Sequence, residues 1–329
     1  MPVYRAVWAD MTKTSMSNRF VIKSAAQKFD ISTKTIMLKI KAVTVFLIST
    51  IISFHVRADL PLTVEDLITG KGKVKLDVSV AYANSDRHGV STGDPITIQT
   101  GATSFVTLPA LIGESRSNSD SLVGTLGLRY GLTSKAEIFA RTSYLHSSSR
   151  NSDVSGISSH SENRLADAWA GINYQFKKDD DTPAVLSFAE IALREKHEKS
   201  SSSFKSALVG ITTYKAIDPV VFSLTTAYRF NQSRQDGDKT YQPGNLFLLN
   251  PSIAFAVNDR VTLTTGMQWT NRQADKWDGQ SQGFRRTSSD LLLGVGYGIS
   301  KGSTLNLTFK SNVSGSNGAD LRLNWLRTF

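Results

Sequence analysis

From residue 74 onward, apolar and polar residues alternate in segments of roughly ten, the pattern of a strand with two unlike faces. VKLDVSVAYAN places Val74, Leu76, Val78, Val80 and Tyr82 on one face and Lys75, Asp77 and Ser79 on the other. DSLVGTLGLRY sets Leu122, Leu126, Leu128 and Tyr130 against Thr125 and Arg129. ADAWAGINYQF sets Ala166, Ala168, Ala170, Ile172, Tyr174 and Phe176 against Asp167 and Asn173. VVFSLTTAYRF, RVTLTTGMQWTNR, SSDLLLGVGYGI and STLNLTFKSNV repeat the pattern, and LRLNWLRTF carries it to Phe329. No window in this region holds an apolar run of the ~20 residues a membrane helix needs.

Two kinds of connection separate the segments. Tight ones fall at Gly131 to Lys135, Ala216 to Pro219, Asn258 to Arg260 and Ser300 to Gly302, with the acidic KKDDDTP slightly longer. Ser-, Gly- and Asp-rich stretches lie between them at 147–163, 196–203, 232–243, 273–285 and 313–319. Short turns on one side and long loops on the other are the asymmetry of a bacterial outer-membrane barrel, with the turns in the periplasm. Counting back from Phe329 predicts an all-β, antiparallel, up-and-down transmembrane barrel of twelve strands, with 85–118 as one long first loop. The strand-like ITIQTGATSFVTLPALI inside that loop leaves fourteen strands as the alternative. A soluble β-sandwich accommodates alternation too, but its strands average about five or six residues and its outer faces are polar. Here Tyr82, Tyr130, Tyr144, Tyr174, Tyr228 and Tyr297 sit near segment ends on the apolar face, where aromatic girdles meet the membrane interfaces.

Composition changes the picture little. A hydrophobic content of 40% fits a soluble globule and a barrel equally, because a polar lumen offsets a greasy exterior. The net charge of +10 loses its force once located. Residues 1–58 hold nine Lys and Arg against two Asp, so the other 271 carry a surplus of only three, too small for a nucleic-acid footprint. With no cysteine, disulfides, thiolate metal sites and cysteine nucleophiles are excluded. MLKIKAVTVFLISTIISFHVRA, 37–58, has the form of a cleaved secretory signal: Lys39 and Lys41, an apolar stretch from Ala42 to Phe54, then Val56-Arg57-Ala58. This division makes 1–36 an upstream extension outside the native product, 59–73 a periplasmic or plugging segment, and 74–329 the barrel. Leu60 to Gly70 reads as a short amphipathic helix with Thr63 and Asp66 as its capping box.

Alternation also names the candidates for the lumen: Asp77, Arg129, Glu137, Arg141, Asp167, Glu190, Arg194, Arg229, Arg272, Asp290, Lys310 and Arg322. Charges projecting into a pore set its selectivity, whereas the same charges paired across a narrow barrel form a salt-bridge lattice. The two coexist where pairs line a residual path. No catalytic residue, metal or cofactor is expected. His146-Ser147-Ser148 offers parts of an outer-membrane lipid hydrolase, but a serine hydrolase also needs a third group to orient its base, and a histidine before a serine run arises readily by chance. Gly294-Val295-Gly296-Tyr297-Gly298 lacks the strand-to-helix setting of a nucleotide loop and puts small residues on the lumen face instead. Asp179-Asp180-Asp181 reads as a solvated turn.

Two stretches carry a family resemblance. NSDSLVGTLGLRYGLTSKAEIFARTSYL, 118–145, resembles the outer-membrane family named for the meta-pathway of phenol degradation, through Leu-Arg-Tyr-Gly-Leu at 128–132 followed by Glu137 and Arg141. LTVEDLITGKGKVKLDVSVAYANSDR, 62–87, resembles that family's start. The resemblance implies a barrel of around twelve strands and a transporter's role, with aromatic or hydrophobic solutes by analogy. The terminal aromatic likewise resembles the signal read by the barrel-assembly machinery, resting on Trp325 and Phe329, although Arg327 occupies a position usually apolar. The expectation is therefore a Gram-negative outer-membrane protein, in contact with outer-membrane lipid and lipopolysaccharide, that passes small solutes and binds no nucleic acid. A non-conducting surface barrel that docks a secretion or adhesion partner is the alternative.

Overall fold

The computed structural model describes residues 68–329 except 88–89, 92–95, 102–103, 109–112, 115, 154–155, 197–199 and 315–317. Twelve long strands follow one another in the chain: β1 (Val74–Arg87), β2 (Arg116–Gly131), β3 (Ala136–Asp153), β4 (Gly156–Lys177), β5 (Ala184–Lys196) and β6 (Ser206–Ile217) make the first half. The second half is β7 (Val220–Asn231), β8 (Leu246–Ala256), β9 (Val261–Arg272), β10 (Arg286–Ser300), β11 (Ser303–Asn312) and β12 (Gly318–Thr328). Each pairs antiparallel with the next, and β12 pairs with β1 from Lys75↔Thr328 to Ser85↔Gly318, which closes the sheet into a barrel. Phe329 completes the seam, donating its backbone N–H to the Val74 carbonyl at 2.8 Å. A closed barrel leaves no edge strand around its girth, so the ladders of the wall satisfy its backbone without water.

The two faces of the wall divide as the alternation predicts. Leu126 and Leu128 are each 53% exposed, and Tyr82, Tyr130, Phe222, Leu263, Tyr297 and Leu323 also face outward. Such a band is a liability in water and the requirement in lipid. Inward lie polar and charged side chains together with small ones, Ala81, Ala83 and Ala227 among them.

Three features depart from the sequence reading. The stretch 147–163, expected to be loop, is mostly strand, because β3 and β4 extend as a long hairpin whose serines pair across it from Ser147↔Glu162 to Asp153↔Gly156. The segments 232–243 and 273–285 also hold strands, at 234–236, 239–242, 275–277 and 280–282, which join in one four-stranded sheet outside the barrel. Finally, two β-bulges shift the alternation. Opposite Ser143 and Tyr144, β4 carries one extra residue, so Ala166 turns inward beside Asp167 rather than taking the expected lipid-facing place. Opposite Ala168 and Trp169, β5 carries an extra Leu193.

Strands do lie inside the long first loop, as the fourteen-strand alternative required, but they do not join the wall. Ile96–Gln99 pairs with Phe105–Leu108 as a separate hairpin, while β1 and β2 pair directly with each other. Of the helix expected over 60–70, only 68–70 lie within the described residues, and these are a bend and irregular chain.

Candidate functional site

The hairpin at 96–108 crosses the lumen. Ile98 and Val106 pack on Ala81, Ala83, Val123, Leu145 and Ala166 from β1 to β4, whereas Phe105 packs on Trp169, Phe188, Ala192, Leu208, Ala227 and Leu248 from β4 to β8. Ile98, Phe105 and Val106 are all but fully buried. The Ser79 hydroxyl donates to the Thr100 carbonyl at 3.2 Å and fixes the turn end of the hairpin to β1. A segment touching opposite walls narrows the barrel to whatever path its flanks leave.

Below the hairpin, at the end with the tight turns, residues 68–70 enter the barrel. Ile68 is buried with Ala184, Leu186 and Tyr214. The Thr69 N–H donates to Glu137 Oε2 at 2.6 Å, and Gly72 donates to the Gly131 carbonyl at 2.8 Å. Glu137 is wholly buried and also accepts from Asn173 at 2.6 Å and from Arg129 at 3.4 Å. Arg129 reaches on to Asp77 at 3.1 Å, and Asp77 accepts from Asn324. Every charge in this cluster has an opposite partner.

Around the hairpin a second cluster forms. Arg141 binds Glu190 at 3.1 Å and lies 3.9 Å from Asp167, which accepts the Trp169 indole N–H at 3.0 Å. Arg141 and Arg229 both lie over the Trp169 ring system, at 5.3 and 5.0 Å from its centroid, a desolvated setting in which cation–π attraction is strongest. Arg229 and Arg234 share Glu195, Arg234 at 3.2 Å. Toward the outer rim, Arg272 meets Asp275 at 2.9 Å. On the far wall Lys310 pairs with Asp320 at 2.8 Å, and Asp290 accepts from Asn312 at 2.8 Å.

Of the twelve lumen candidates, Asp77, Arg129, Glu137, Arg141, Asp167, Glu190, Arg229, Arg272, Asp290, Lys310 and Arg322 lie on the inward face of the wall. Arg194 does not. The Leu193 bulge puts two consecutive residues outward, leaving Arg194 exposed and Glu195 in the lumen. The same shift explains why Glu195 escaped sequence reasoning. Arg164 and Arg234 were hidden by their place in serine- and glycine-rich stretches. Trp169 and Asp320 were legible, since they share strand parity with Asp167 and Arg322. His146 is exposed and meets Asn163 Oδ1 through Nδ1, while Ser147 faces Ser121 at 3.2 Å. In the acidic turn, Asp179 accepts from the Ala216 N–H at 2.7 Å and pairs with Lys215, and Asp180 pairs with Lys177 at 2.8 Å.

A closed twelve-stranded wall with an apolar exterior, a charged interior and an inserted loop defines an outer-membrane β-barrel of constricted lumen. Residues 83–328 match the model of the family described as "Putative MetA-pathway of phenol degradation", and the chain belongs to that family. The fold is similar to the crystal structure of the COG4313 outer membrane channel from Pseudomonas putida F1, with a TM-score of 0.56 and 12% identity over 80% of this chain and 96% of that one. The NanC porin aligns with a TM-score of 0.44 at 12% identity, over 77% of this chain and 98% of its own. The Pseudomonas putida toluene transporter TodX aligns with a TM-score of 0.38 at 10% identity, over 82% and 91%. No curated protein matches the sequence.

Proposed function

We propose that the protein is a channel of the Gram-negative outer membrane through which small solutes cross passively, with the hairpin at 96–108 as its constriction. The observation that carries this reading is the inversion of the molecule: leucines and aromatics face out of a closed wall, and charged side chains face in. Small aromatic or hydrophobic solutes, which the family name suggests, suit the apolar character of the cluster that Phe105 forms with Trp169, Phe188 and Leu208 where the hairpin meets the wall. Export through the signal at 37–58, insertion directed by Trp325 and Phe329, and a setting among outer-membrane lipid and lipopolysaccharide belong to the same reading. So does a plugging role for 59–73, supported by the entry of residues 68–70 into the barrel. The reading includes no catalysis.

The hairpin's contact with opposite walls favours a second reading, a non-conducting barrel whose outer sheet docks a partner. Planar-bilayer conductance of refolded 59–329 separates the two, measured for the native chain and for a variant with 96–108 replaced by a Gly-Ser linker. The channel reading expects stepwise currents that grow when the hairpin is removed. Silence from both proteins would favour the scaffold.

A further inference from the structure

We propose that the outer vestibule above the hairpin binds a small organic acid, its carboxylate held by Arg164 and Arg234 and its apolar body against Val106 and Leu246. The inference rests on the channel reading for its sense, because a solute bound at the outer mouth is one placed to enter; the site stands on its own geometry.

A cavity of about 70 Å³ lies between the hairpin and the outer ends of β4, β5, β7, β8 and β9. On the scale where one water needs about 10–15 Å³, it has room for roughly five water-sized groups. Among the described residues five cations line it: Arg164, Lys196, Arg229, Arg234 and Arg272. Two of the described lining residues are carboxylates, each with a partner, although Asp167 Oδ1 is itself buried without a hydrogen bond. Glu195 lies between Arg229 and Arg234, and Asp167 accepts from Trp169. Arg272 is engaged too, by Asp275 just outside the lining.

Two arginines keep donors in reserve. Arg164 is 5% exposed and Arg234 6%. Among the described residues, Nε and Nη1 of Arg164 and Nε of Arg234 are buried without a hydrogen-bond partner. Arg164 forms an ion pair, among the described residues, with Glu162 alone, 3.4 Å from Nη1, and that carboxylate is itself 35% exposed. Leaving a buried charged donor unmet costs more than leaving a neutral one unmet, and folded chains seldom tolerate it. A planar guanidinium fork is matched by a carboxylate, which accepts two parallel hydrogen bonds. Val106, Ala166 and Leu246 on the remaining lining would bury the hydrocarbon part. A cation would be repelled here, and a neutral amide of the same shape would offer one uncharged acceptor oxygen where a carboxylate offers two charged ones.

Isothermal titration of the refolded 59–329 barrel in detergent with sodium benzoate tests the site. Benzamide, the neutral analogue, and acetate, which lacks the apolar body, are the comparison ligands. Benzoate should bind about tenfold or more tightly than benzamide, and the R164Q/R234Q double variant should lose about tenfold or more in benzoate affinity. Heat-modifiable gel mobility reports whether that variant folds. Should it not, Arg164→Lys carries the test: it keeps the charge but not the fork, and should weaken benzoate while leaving benzamide unchanged. Equal binding of benzoate and benzamide, or benzoate binding untouched by these variants, overturns the proposal. No benzoate binding, with water alone meeting the donors, overturns it as well. Benzoate binding in a barrel that never conducts would sink the channel reading alone, and conductance without benzoate binding would sink this one alone.

Discussion

The two ends of the lumen are built from one alternating sequence and behave as opposites. At the end with tight turns, Asp77, Arg129, Glu137, Asn173, Asn324 and the Thr69 backbone form a compact cluster in which each charge meets an opposite one. At the end with long hairpins, five cations crowd a cavity against two carboxylates that other groups already hold. A charge inside a barrel is thus no evidence of a ligand site by itself. The distinguishing feature is whether its donors are spent. At the inner end they close the barrel around residues 68–70; at the outer end some remain available.

The largest expected effect comes from breaking the spent cluster. Glu137→Ala removes the fully buried carboxylate that holds Arg129, Asn173 and the Thr69 N–H, and should cost about 3–5 kcal/mol, the penalty for stranding a buried partner. Urea unfolding from lipid vesicles, followed by tryptophan fluorescence, measures it. Arg234→Gln at the other end should cost clearly less, because Glu195 keeps Arg229. Equal losses would erase the contrast between the two ends.

A smaller effect separates two glycines on one strand. A Cβ at Gly131 would fall 2.2 Å from the Gly70 carbonyl oxygen and 2.3 Å from that of Thr69, so the entering chain must move. At Gly124 nothing lies within 4 Å. Gly131→Ala should therefore destabilise by about 1–3 kcal/mol and make the 59–73 region more sensitive to protease, whereas Gly124→Ala should change neither. Limited proteolysis of the refolded variants reads both outcomes.

What the sequence made legible follows from what period-two patterning can encode. It marks which face of a strand is greasy and where a turn interrupts it, and those two signals are enough for twelve strands, the tight turns and the inward placement of eleven of the twelve charges expected there. Bulges lie beyond it. One extra residue in β5 sends Arg194 out and Glu195 in, and nothing local to Leu193 announces the change. The outer sheet had a signal that composition obscured. Asp278 and Gly279 have φ of 48° and 80°, the left-handed pair of a two-residue hairpin, and Trp-Asp-Gly-Gln spells that turn within a stretch otherwise polar enough to pass for loop. The inserted hairpin could be read as strands but not placed, because burial against a lumen wall looks in sequence like burial in any sheet.

The outer sheet should respond to pH through two named groups, which sharpens the contrast from another side. Asp275 accepts from the Tyr241 hydroxyl at 3.0 Å, the Gly244 N–H at 2.7 Å and Arg272 at 2.9 Å. Burial alone would push its carboxyl up, but Arg272 and the Gly244 N–H outweigh burial and hold it below its ordinary value. The stability it lends is then fully present above the unfolded carboxylate pKa, about 3.9, and is lost as pH falls through the lower folded value. The Tyr241 phenol is pushed up by burial and by Asp275, so its contribution is present below the unfolded phenol pKa, about 10, and is lost above it. Trp277, stacked on Tyr241 at 4.8 Å, reports both transitions by fluorescence. Asp275→Asn should abolish the acid transition and leave the barrel's heat-modifiability unchanged.

The smallest effect is expected in the turn at 178–183, where two neighbouring carboxylates differ in what they hold. The Asp180 carboxyl is lowered to about 2, chiefly by its hydrogen bond from Lys177 and then by the Thr182 N–H. It is fully exposed, and an exposed pair on a flexible lysine is screened by water and salt, so Asp180→Asn should leave the urea midpoint where it was. Asp179 instead accepts from the Ala216 backbone at 2.7 Å and from Lys215, tying this turn to the end of β6. Its carboxyl is held low first by that backbone donor and then by Lys215. The stability it contributes is present above the unfolded carboxylate pKa and is lost as pH falls through the lower folded value. Asp179→Asn keeps one oxygen acceptor but forfeits the charge, so a small loss is expected above pH ~4, fading below it. A loss at Asp180 equal to that at Asp179 would mean that charge near the turn matters more than a fixed backbone partner, against the rule drawn from the two ends of the lumen.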